Sequence, residues 1–439
     1  MVARNERDPT RDPTSACGEP QPHVPSRLCG TNLAKRLGDF PSGVDLGLEK
    51  LMTRRSNIVE RFRARFRATP HVYRAPGRVN LIGEHTDYND GFAMPAAIQF
   101  YCWVAVGARE DRKLSIYSEE LSSSAEAELS SPALQPSKTW SDYPIGVALQ
   151  LEQAGFRLRG ANLLIESEVP MGAGLSSSAA IEVATALALA GQSGWSPDRV
   201  QLALLCQKAE NEFVGARVGI MDQFVSLHGQ ENHALMLDCR ALTFASLLIP
   251  ESVKLVISNT MVKHELASSE YNRRRVDCEE AVRRLAGVLP GIRALRDVSL
   301  EQLERHRLVL SEVTYKRALH VVTENARVLD SAAALRSGDI VRFGMRMAES
   351  HRSLRDLYEV SCRELDLMVD LAFEQKGVFG ARMTGGGFGG ATINLVDARY
   401  TEEFKEKMAK SYQRETGLVP QIYICRPAEG AGAVSSSDL

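Results

Sequence analysis

The segment Pro76–Tyr88, PGRVNLIGEHTDY, concentrates polar side chains that could bind a ligand with many hydroxyl groups. Glu84, His85, Thr86 and Asp87 offer hydrogen-bond donors and acceptors within a few residues of one another. Such groups must converge in a polyol site, because each buried hydroxyl left without a partner costs about 1–3 kcal/mol. By composition alone, a solvated turn with a helix cap explains the segment equally well.

A second segment, Pro170–Ala180, has the sequence PMGAGLSSSAA. Glycines let a backbone approach a ligand closely, and serines commonly open a helix. Free N–H groups and the positive end of the helix dipole would favour a phosphate there, and the first-turn hydroxyls could reach the phosphate or its metal ion. The segment therefore predicts an anion site, although a plain strand-to-helix connection can look the same. It matches neither the Walker A nor the G-x-G-x-x-G pattern, which disfavours P-loop and Rossmann folds.

A third glycine-rich run, Met383–Ala391, reads MTGGGFGGA. It could close over a ligand, but a tight hairpin whose glycines only turn the chain is the favoured interpretation.

Two acids, Glu210 and Asp222, form the fourth candidate. One carboxylate suits Mg²⁺ and the other suits proton abstraction, both of which phosphoryl transfer can use. Acids flanking a surface loop would give the same pattern, which is the favoured interpretation when the pair is considered alone.

Apolar spacing predicts the elements that must position these motifs. Strands are expected at 71–79, 161–169, 233–237, 253–258 and 421–425, with two short strands around a charged turn in 100–117 and a strand hairpin in 380–395. Helices are expected at 47–65, from the serines to 191, at 197–214, within 265–287 and 315–355, and at 402–413, with an irregular loop at 215–222. No regular βαβ repeat emerges, so the pattern favours an α+β fold. We expect a disordered extension at 1–45, domains at 46–245 and 246–427, and a tail at 428–439.

Composition narrows the class of protein. The 439 residues carry 53 basic and 55 acidic side chains without a basic stripe, which disfavours a nucleic-acid partner. Eight cysteines without a C-x-x-C pair are expected to be reduced. No apolar run approaches the ~20 residues that cross a bilayer, and the N-terminus lacks a signal-peptide core. We expect a cytoplasmic protein, monomeric, with small-molecule ligands.

The three glycine-containing segments, in this order, resemble the GHMP kinase superfamily over about residues 55–425. The stretch GRVNLIGEHTDYNDG resembles the galactokinase family in particular, since mevalonate and homoserine kinases share the serine loop but lack EHTDY. VKHELASSEYNRRR at 262–275 and YKRALHVVTEN at 315–325 also resemble that family. The resemblance implies a two-domain fold, an N-terminal mixed-sheet domain and a C-terminal ferredoxin-like domain, with the active site in the cleft between them.

The resemblance also implies roles for individual residues. The sugar would be held by Glu84, His85, Thr86, Asp87, Gly219 and Tyr271. Asp222 would be the base at the anomeric hydroxyl. Arg78 would lie near the transferring phosphoryl group and keep Asp222 ionised.

The resemblance also implies which residues bind the nucleotide and its metal ion. The ATP phosphates would be wrapped by Gly172, Ala173, Gly174, Leu175, Ser176, Ser177 and Ser178. Mg²⁺ would be bound by Ser178 and Glu210, directly or through water. Ser118 and Trp140 would border the nucleotide.

The implied reaction is direct transfer of the γ-phosphoryl group of ATP to the C1 hydroxyl of galactose, without a covalent phospho-enzyme. Two alternatives stay open: a 1-kinase for a related sugar such as N-acetylgalactosamine, arabinose or galacturonate, and a non-catalytic sensor of sugar and ATP.

Overall fold

The computed structural model describes residues 58–129, 134–263 and 267–435, all within one unit, Met52–Leu439. The predicted extension at 1–45, the predicted helix before Ile58 and residues 436–439 of the predicted tail lie outside the described residues. The helices are α1 (Ile58–Phe66), α2 (Asp142–Gln153), α3 (Ser177–Gln192), α4 (Arg199–Ala209), α5 (Met221–His228), α6 (Ala267–Ala286), α7 (Leu300–Arg305), α8 (Glu312–Arg336), α9 (Ile340–Ser353), α10 (Arg363–Phe373) and α11 (Thr401–Thr416). The strands are β1 (His71–Asn80), β2 (Phe92–Ala93), β3 (Pro95–Ala108), β4 (Lys113–Ser118), β5 (Ser123–Glu128), β6 (Ala161–Ser167), β7 (His233–Asp238), β8 (Thr243–Leu248), β9 (Val253–Lys263), β10 (Val378–Thr384), β11 (Gly389–Asp397), β12 (Gln421–Cys425) and β13 (Gly432–Ala433).

The described strands form three sheets. A six-stranded sheet has the order β13-β1-β3-β6-β4-β5 and is mixed, because β4 and β6 run parallel while the other neighbours are antiparallel. A four-stranded antiparallel sheet has the order β10-β11-β9-β12, and a three-stranded one the order β2-β7-β8. No described helix is long and apolar enough to span a lipid bilayer.

Helix α3 packs against β1 and β3. Its sequence, SSAAIEVATALALAGQ, is rich in alanine, which has the highest helix propensity. Because the alanine side chain is also small, the helix can lie close to the sheet. Ala180, Val183 and Leu189 are fully buried there. This packing fixes the position of the serines at the start of α3.

Most predicted elements are present, with three corrections. The predicted loop at 215–222 ends in α5, whose apolar face is only two turns long and gives a weak periodic signal. Residues 197–214 form α4 followed by a π-helical turn, Glu210–Val214, in place of one regular helix. The sequence pattern also did not predict several elements of the structure, which are β2, β5, β8, β13, α2, α7 and α10.

The predicted domain limits can be compared with the sheets. Position 245 lies inside β8, and the first strand of the four-stranded sheet begins at Val253. Part of the predicted tail returns to the six-stranded sheet, where Ala433 pairs with Tyr73. The limits themselves stay a prediction.

A buried carboxylate joins the polar segment after β1 to α8 and α9. Glu324, fully buried on α8, accepts hydrogen bonds from Gly83 N (2.9 Å), Ser350 Oγ (2.6 Å) and Arg327 Nε (2.7 Å). Burial alone would raise the pKa of Glu324, but Arg327 and neighbouring positive groups outweigh it and lower the pKa to about 2. The ionised carboxylate therefore stabilises the folded state.

We expect Glu324→Gln to lower the free energy of unfolding by about 3 kcal/mol near neutral pH. The folded pKa lies below the ordinary value of 4.5, so the ionised side chain stabilises the fold above pH 4.5 and this contribution is lost as the pH falls towards 2. The difference between wild type and variant should therefore shrink over that range. Urea denaturation at several pH values measures it. Glu312→Gln, an exposed position on the same helix, is the control, and an equal effect there would contradict the prediction.

Candidate active site

A cavity of about 600 Å³ brings together the end of β1, the segment after it, the π-helical turn, α5, α6 and the β10–β11 loop. Its lining includes the predicted Arg78, Glu84, His85, Asp87, Ser178, Glu210, Gly219, Asp222 and Tyr271. The sequence therefore predicts a set of residues that the fold brings to one place.

Arg78 and Asp222 form an ion pair in this cavity. The Arg78 Nε lies 2.8 Å from Asp222 Oδ1, and Nη2 lies 2.6 Å from Oδ2. Nη1 donates to the carbonyl of Gly174 at 2.6 Å, and the hydroxyl of Ser176 donates to Asp222 Oδ2. Burial lowers the pKa of Arg78, but the charges of Asp222 and Glu84 outweigh it and the net shift is upward. The guanidinium thus stays charged and fixes both carboxylate oxygens.

The pairing of β1 with β3 is irregular just before Arg78. The register shifts between Pro76, which pairs with Tyr101, and Arg78, which pairs with Ala97, so three residues of β3 face one residue of β1. Gly77 allows the strand to lie against the serine loop, since a Cβ there would meet Leu175 O at 2.7 Å. The Arg78 amide donates to the same carbonyl at 3.0 Å.

Two further acids face the cavity. Glu84 Oε1 accepts from Gly385 N at 2.7 Å and lies 3.3 Å from Arg382 Nη2. Asp87 packs against Gly219, where a Cβ would come within 1.9 Å of Asp87 Oδ2. Burial and the charge of Asp222 raise the pKa of Asp87 to about 6. Only glycine fits at 219.

His85 and Tyr271 form the aromatic side of the cavity, with ring centroids 5.3 Å apart. Burial and the nearby His320 and Arg274 hold the pKa of His85 well below its ordinary value, so the ring is neutral at pH 7. The His85 Nδ1 lies 2.7 Å from the Tyr88 hydroxyl, whereas Nε2 has no hydrogen-bond partner among the described residues and is the nitrogen left for a ligand.

Thr86 is the one predicted sugar residue that the structure does not bring into this cavity. It is fully buried, and its hydroxyl lies 2.8 Å from Gly83 O and 2.7 Å from Phe92 O. Those contacts shape the turn that presents its neighbours.

A second cavity, of about 300 Å³, lies between the serine loop and the β10–β11 loop. It is lined by Arg78 and by the predicted Gly172, Gly174, Leu175, Ser176, Ser177 and Ser178. Ala173 is fully buried and does not line it. Because α3 begins at Ser177, its positive dipole end and free amides lie at this cavity, as a phosphate site requires.

The β10–β11 loop, which the sequence favoured as a plain hairpin, lines both cavities. Gly385, Gly386 and Gly387 contribute to each of them. Gly385 and Gly387 have φ of 84°, and a Cβ at Gly387 would meet Val360 O at 2.2 Å. The run of glycines was the sequence signal for this part of the site. Its position opposite the serine loop depends on the tertiary structure, which the sequence pattern does not show.

Glu210 and Ser178 both line the larger cavity. Burial and the charge of Asp222 raise the pKa of Glu210. No cluster of three or more metal-binding side chains occurs among the described residues. Two oxygen ligands beside an anion cavity nevertheless fit Mg²⁺, which binds few protein oxygens and takes the others from water and phosphates.

A third cavity, of about 240 Å³, joins Ser118 and Trp140 to the first turn of α3. Tyr143, Ile165 and Ile181 also line it, and the sequence did not single them out. Its largely apolar walls suit a flat ring such as a nucleobase.

Comparisons with known proteins identify the family of this chain. Residues 60–108 match the galactokinase galactose-binding signature, 142–230 the GHMP kinases N-terminal domain and 331–414 the GHMP kinases C-terminal domain. A curated galactokinase from Roseiflexus sp. (strain RS-1) is 48% identical over 381 residues, which cover 85% of this chain and 96% of the relative. The chain belongs to the galactokinase family. A galactokinase from Chloroflexus aggregans (strain MD-66 / DSM 9485) is 44% identical over 384 residues, which cover 87% of this chain and 98% of that one.

Solved structures lead to the same fold. The galactokinase of Lactococcus lactis, crystallised with galactose, has a TM-score of 0.83 at 35% identity and covers 87% of this chain and all of its own. A mevalonate kinase has a TM-score of 0.54 at 21% identity, covers 81% of this chain and 98% of its own, and shares the fold alone. The predicted family and the predicted GHMP kinase α+β fold are confirmed.

For a member of the galactokinase family with this geometry, we expect Arg78→Lys to lower turnover with ATP and galactose about a hundredfold. A lysine supplies one point charge where the guanidinium holds two carboxylate oxygens and the Gly174 carbonyl. Galactose affinity, measured by calorimetry, should change less than threefold. Arg74→Lys is the control, since Arg74 lies on the same strand over the Tyr101 ring and does not line the cavity. Turnover within threefold of wild type in Arg78→Lys would refute this role.

Proposed function

We propose that this protein is a galactokinase, which transfers the γ-phosphoryl group of ATP to the C1 hydroxyl of α-D-galactose and releases galactose 1-phosphate and ADP. One observation carries the proposal. The Arg78–Asp222 ion pair lies between two cavities. One cavity is lined by side chains that could bind sugar hydroxyls, and the other is formed by a helix N-terminus and the serine loop. Arg78 lines both cavities, so a sugar hydroxyl and a phosphate placed in them would meet beside it.

The sugar side supplies binding and orientation. Glu84 and Asp87 would offer carboxylate oxygens, and Tyr271 would cover the sugar from α6. Neutral His85 would offer its Nε2, because its Nδ1 is bonded to the Tyr88 hydroxyl. The close contact of Gly219 with Asp87 leaves no room for a side chain and lets the main chain approach the ligand. These groups would hold the C1 hydroxyl towards Asp222.

The phosphate side supplies electrostatic stabilisation. The amides at the start of α3 and the serine hydroxyls would bind the phosphates, and the third cavity would take the base near Ser118 and Trp140. Ser178 and Glu210 would hold Mg²⁺, which neutralises charge on the phosphates when it is bound.

The transfer itself needs little covalent chemistry from the protein. The C1 oxygen forms a bond to the γ-phosphorus as the bond to the leaving ADP oxygen breaks, and the hydroxyl proton passes to Asp222 and then to solvent. Arg78 opposes the negative charge that develops on the transferring group. The product then leaves without a phosphorylated enzyme residue having formed.

A coupled ADP-release assay with Mg·ATP tests the proposed function. The sugar panel comprises galactose, N-acetylgalactosamine, arabinose, galacturonate and glucose, with mevalonate as a non-sugar control. We expect the highest kcat/KM for galactose. Preference for another sugar would change the proposed substrate, and binding of galactose and ATP without turnover would make the protein a sensor. A cytoplasmic location, a monomeric state and the absence of nucleic-acid and membrane partners stay predictions.

The role of Asp222 has a separate test. We expect Asp222→Asn to lower kcat by about 10²–10⁴-fold, because the amide cannot accept the proton. Galactose affinity should change far less, since the sugar keeps Glu84 and Asp87. Asp90→Asn is the control, because Asp90 is a half-exposed acid paired with Arg240 and does not line the cavity. Equal losses of kcat and of galactose affinity in Asp222→Asn would count against a catalytic role.

A further inference from the structure

A buried amide lies between two buried carboxylates beside the active site. Gln223 and Glu182 are completely buried, and Glu210 is 5% exposed. The Gln223 Nε2 donates to Glu182 Oε2 at 3.0 Å and to Glu210 Oε2 at 2.7 Å. The reaction proposed above uses neither Gln223 nor Glu182.

The amide of Gln223 points its nitrogen at the two acids. An amide nitrogen carries two N–H groups, so it can donate to one oxygen of Glu182 and one oxygen of Glu210 at the same time. The Gln223 Oε1 has no hydrogen-bond partner among the described residues. Both N–H groups are therefore committed to the two acids.

The same contact joins three elements of the site. Glu182 lies on α3, four residues after Ser178, so the two side chains share one face of that helix. Glu210 opens the π-helical turn, where its carbonyl accepts from the amides of Gly215 and Ala216. Gln223 lies next to Asp222 in the first turn of α5.

A purely structural role explains these residues poorly. The other positions through which α3 packs into the core are mostly alanine, valine and leucine, so an apolar residue would serve at 182. Burying two carboxylates and an amide costs free energy unless the network is satisfied, and an apolar replacement of such groups is often as stable.

We propose that Gln223 is a positioning residue for Glu210. By holding one carboxylate oxygen, it leaves the other free to face the cation in the cavity, and Glu182 in turn holds the amide in place. The inference rests on the proposed function, because the cation is the one that accompanies ATP. Partners that orient a metal ligand typically change metal affinity 10–100-fold when they are removed.

The test measures cation binding without catalysis. Mn²⁺ replaces Mg²⁺ as the probe. Electron paramagnetic resonance measures the concentration of free Mn²⁺ in solutions that contain the enzyme–ADP complex and no sugar. The variant Gln223→Met keeps the length of the side chain and removes both donors. Gln223→Asn keeps an amide but withdraws it by one carbon, and serves if the methionine variant does not fold.

Two control variants separate positioning from general damage to the core. Glu182→Gln keeps an oxygen that can accept from Gln223. Thr185→Val changes a fully buried side chain on the same helix whose hydroxyl has no hydrogen-bond partner in the described part of the chain.

We expect the Mn²⁺ dissociation constant to rise at least tenfold in Gln223→Met and Gln223→Asn, and to stay within threefold of wild type in both controls. Galactose affinity, measured by calorimetry without nucleotide, should stay within twofold throughout. Unchanged Mn²⁺ affinity in a folded Gln223 variant would overturn the inference, as would an equal loss in Thr185→Val. Failure of the wild-type protein to phosphorylate galactose would instead refute the proposed function, because the Mn²⁺ measurement requires no sugar.

Discussion

A buried guanidinium, that of Arg78, pairs with the partly buried carboxylate of Asp222 at the point where the two polar cavities meet. Removal of Asp222 would leave the buried guanidinium without its main counter-charge. The start of α5 must therefore stay against the end of β1. The third arm of the guanidinium holds Gly174, so the serine loop is tied to the same point. One side chain thus fixes the relative position of the proposed base and the proposed phosphate site.

Close approach of main chain segments is the second constraint on the site. A Cβ at Gly77, Gly219 or Gly387 would overlap neighbouring atoms. Only glycine therefore lets β1 approach the serine loop, the segment before α5 approach Asp87, and the β10–β11 loop approach Val360. The buried acids then need compensation from within the protein. Arg382 stands beside Glu84, Gln223 beside Glu210 and Arg327 beside Glu324. Arg382 is distant in sequence from Glu84, Gln223 lies on the helix that follows the loop after Glu210, and Arg327 lies on the same face of α8 as Glu324.

The sequence predicted the parts of this site that are local. The polar segment after β1 and the serine loop at the start of α3 each have a composition that indicates a ligand, and the resemblance to a family assigned their roles. Helix α5 was missed because its apolar face is short, and the role of the Gly385–Gly387 run was undervalued because a hairpin explains it locally. Gln223 and Glu182 gave no signal, since their importance lies in a contact between residues 41 positions apart. Thr86 shows the opposite case, in which a residue inside a specific motif stabilises the turn and does not line the cavity.

The most direct test of this account is a double-mutant cycle on turnover, with Arg78→Lys, Asp222→Asn and the two changes combined. If the two side chains act as one unit, the double variant should turn over galactose about as fast as the slower single variant, because the second change removes an interaction that is already lost. If the two losses in kcat multiply, Arg78 and Asp222 act independently, and the ion pair is not the organising contact of the site.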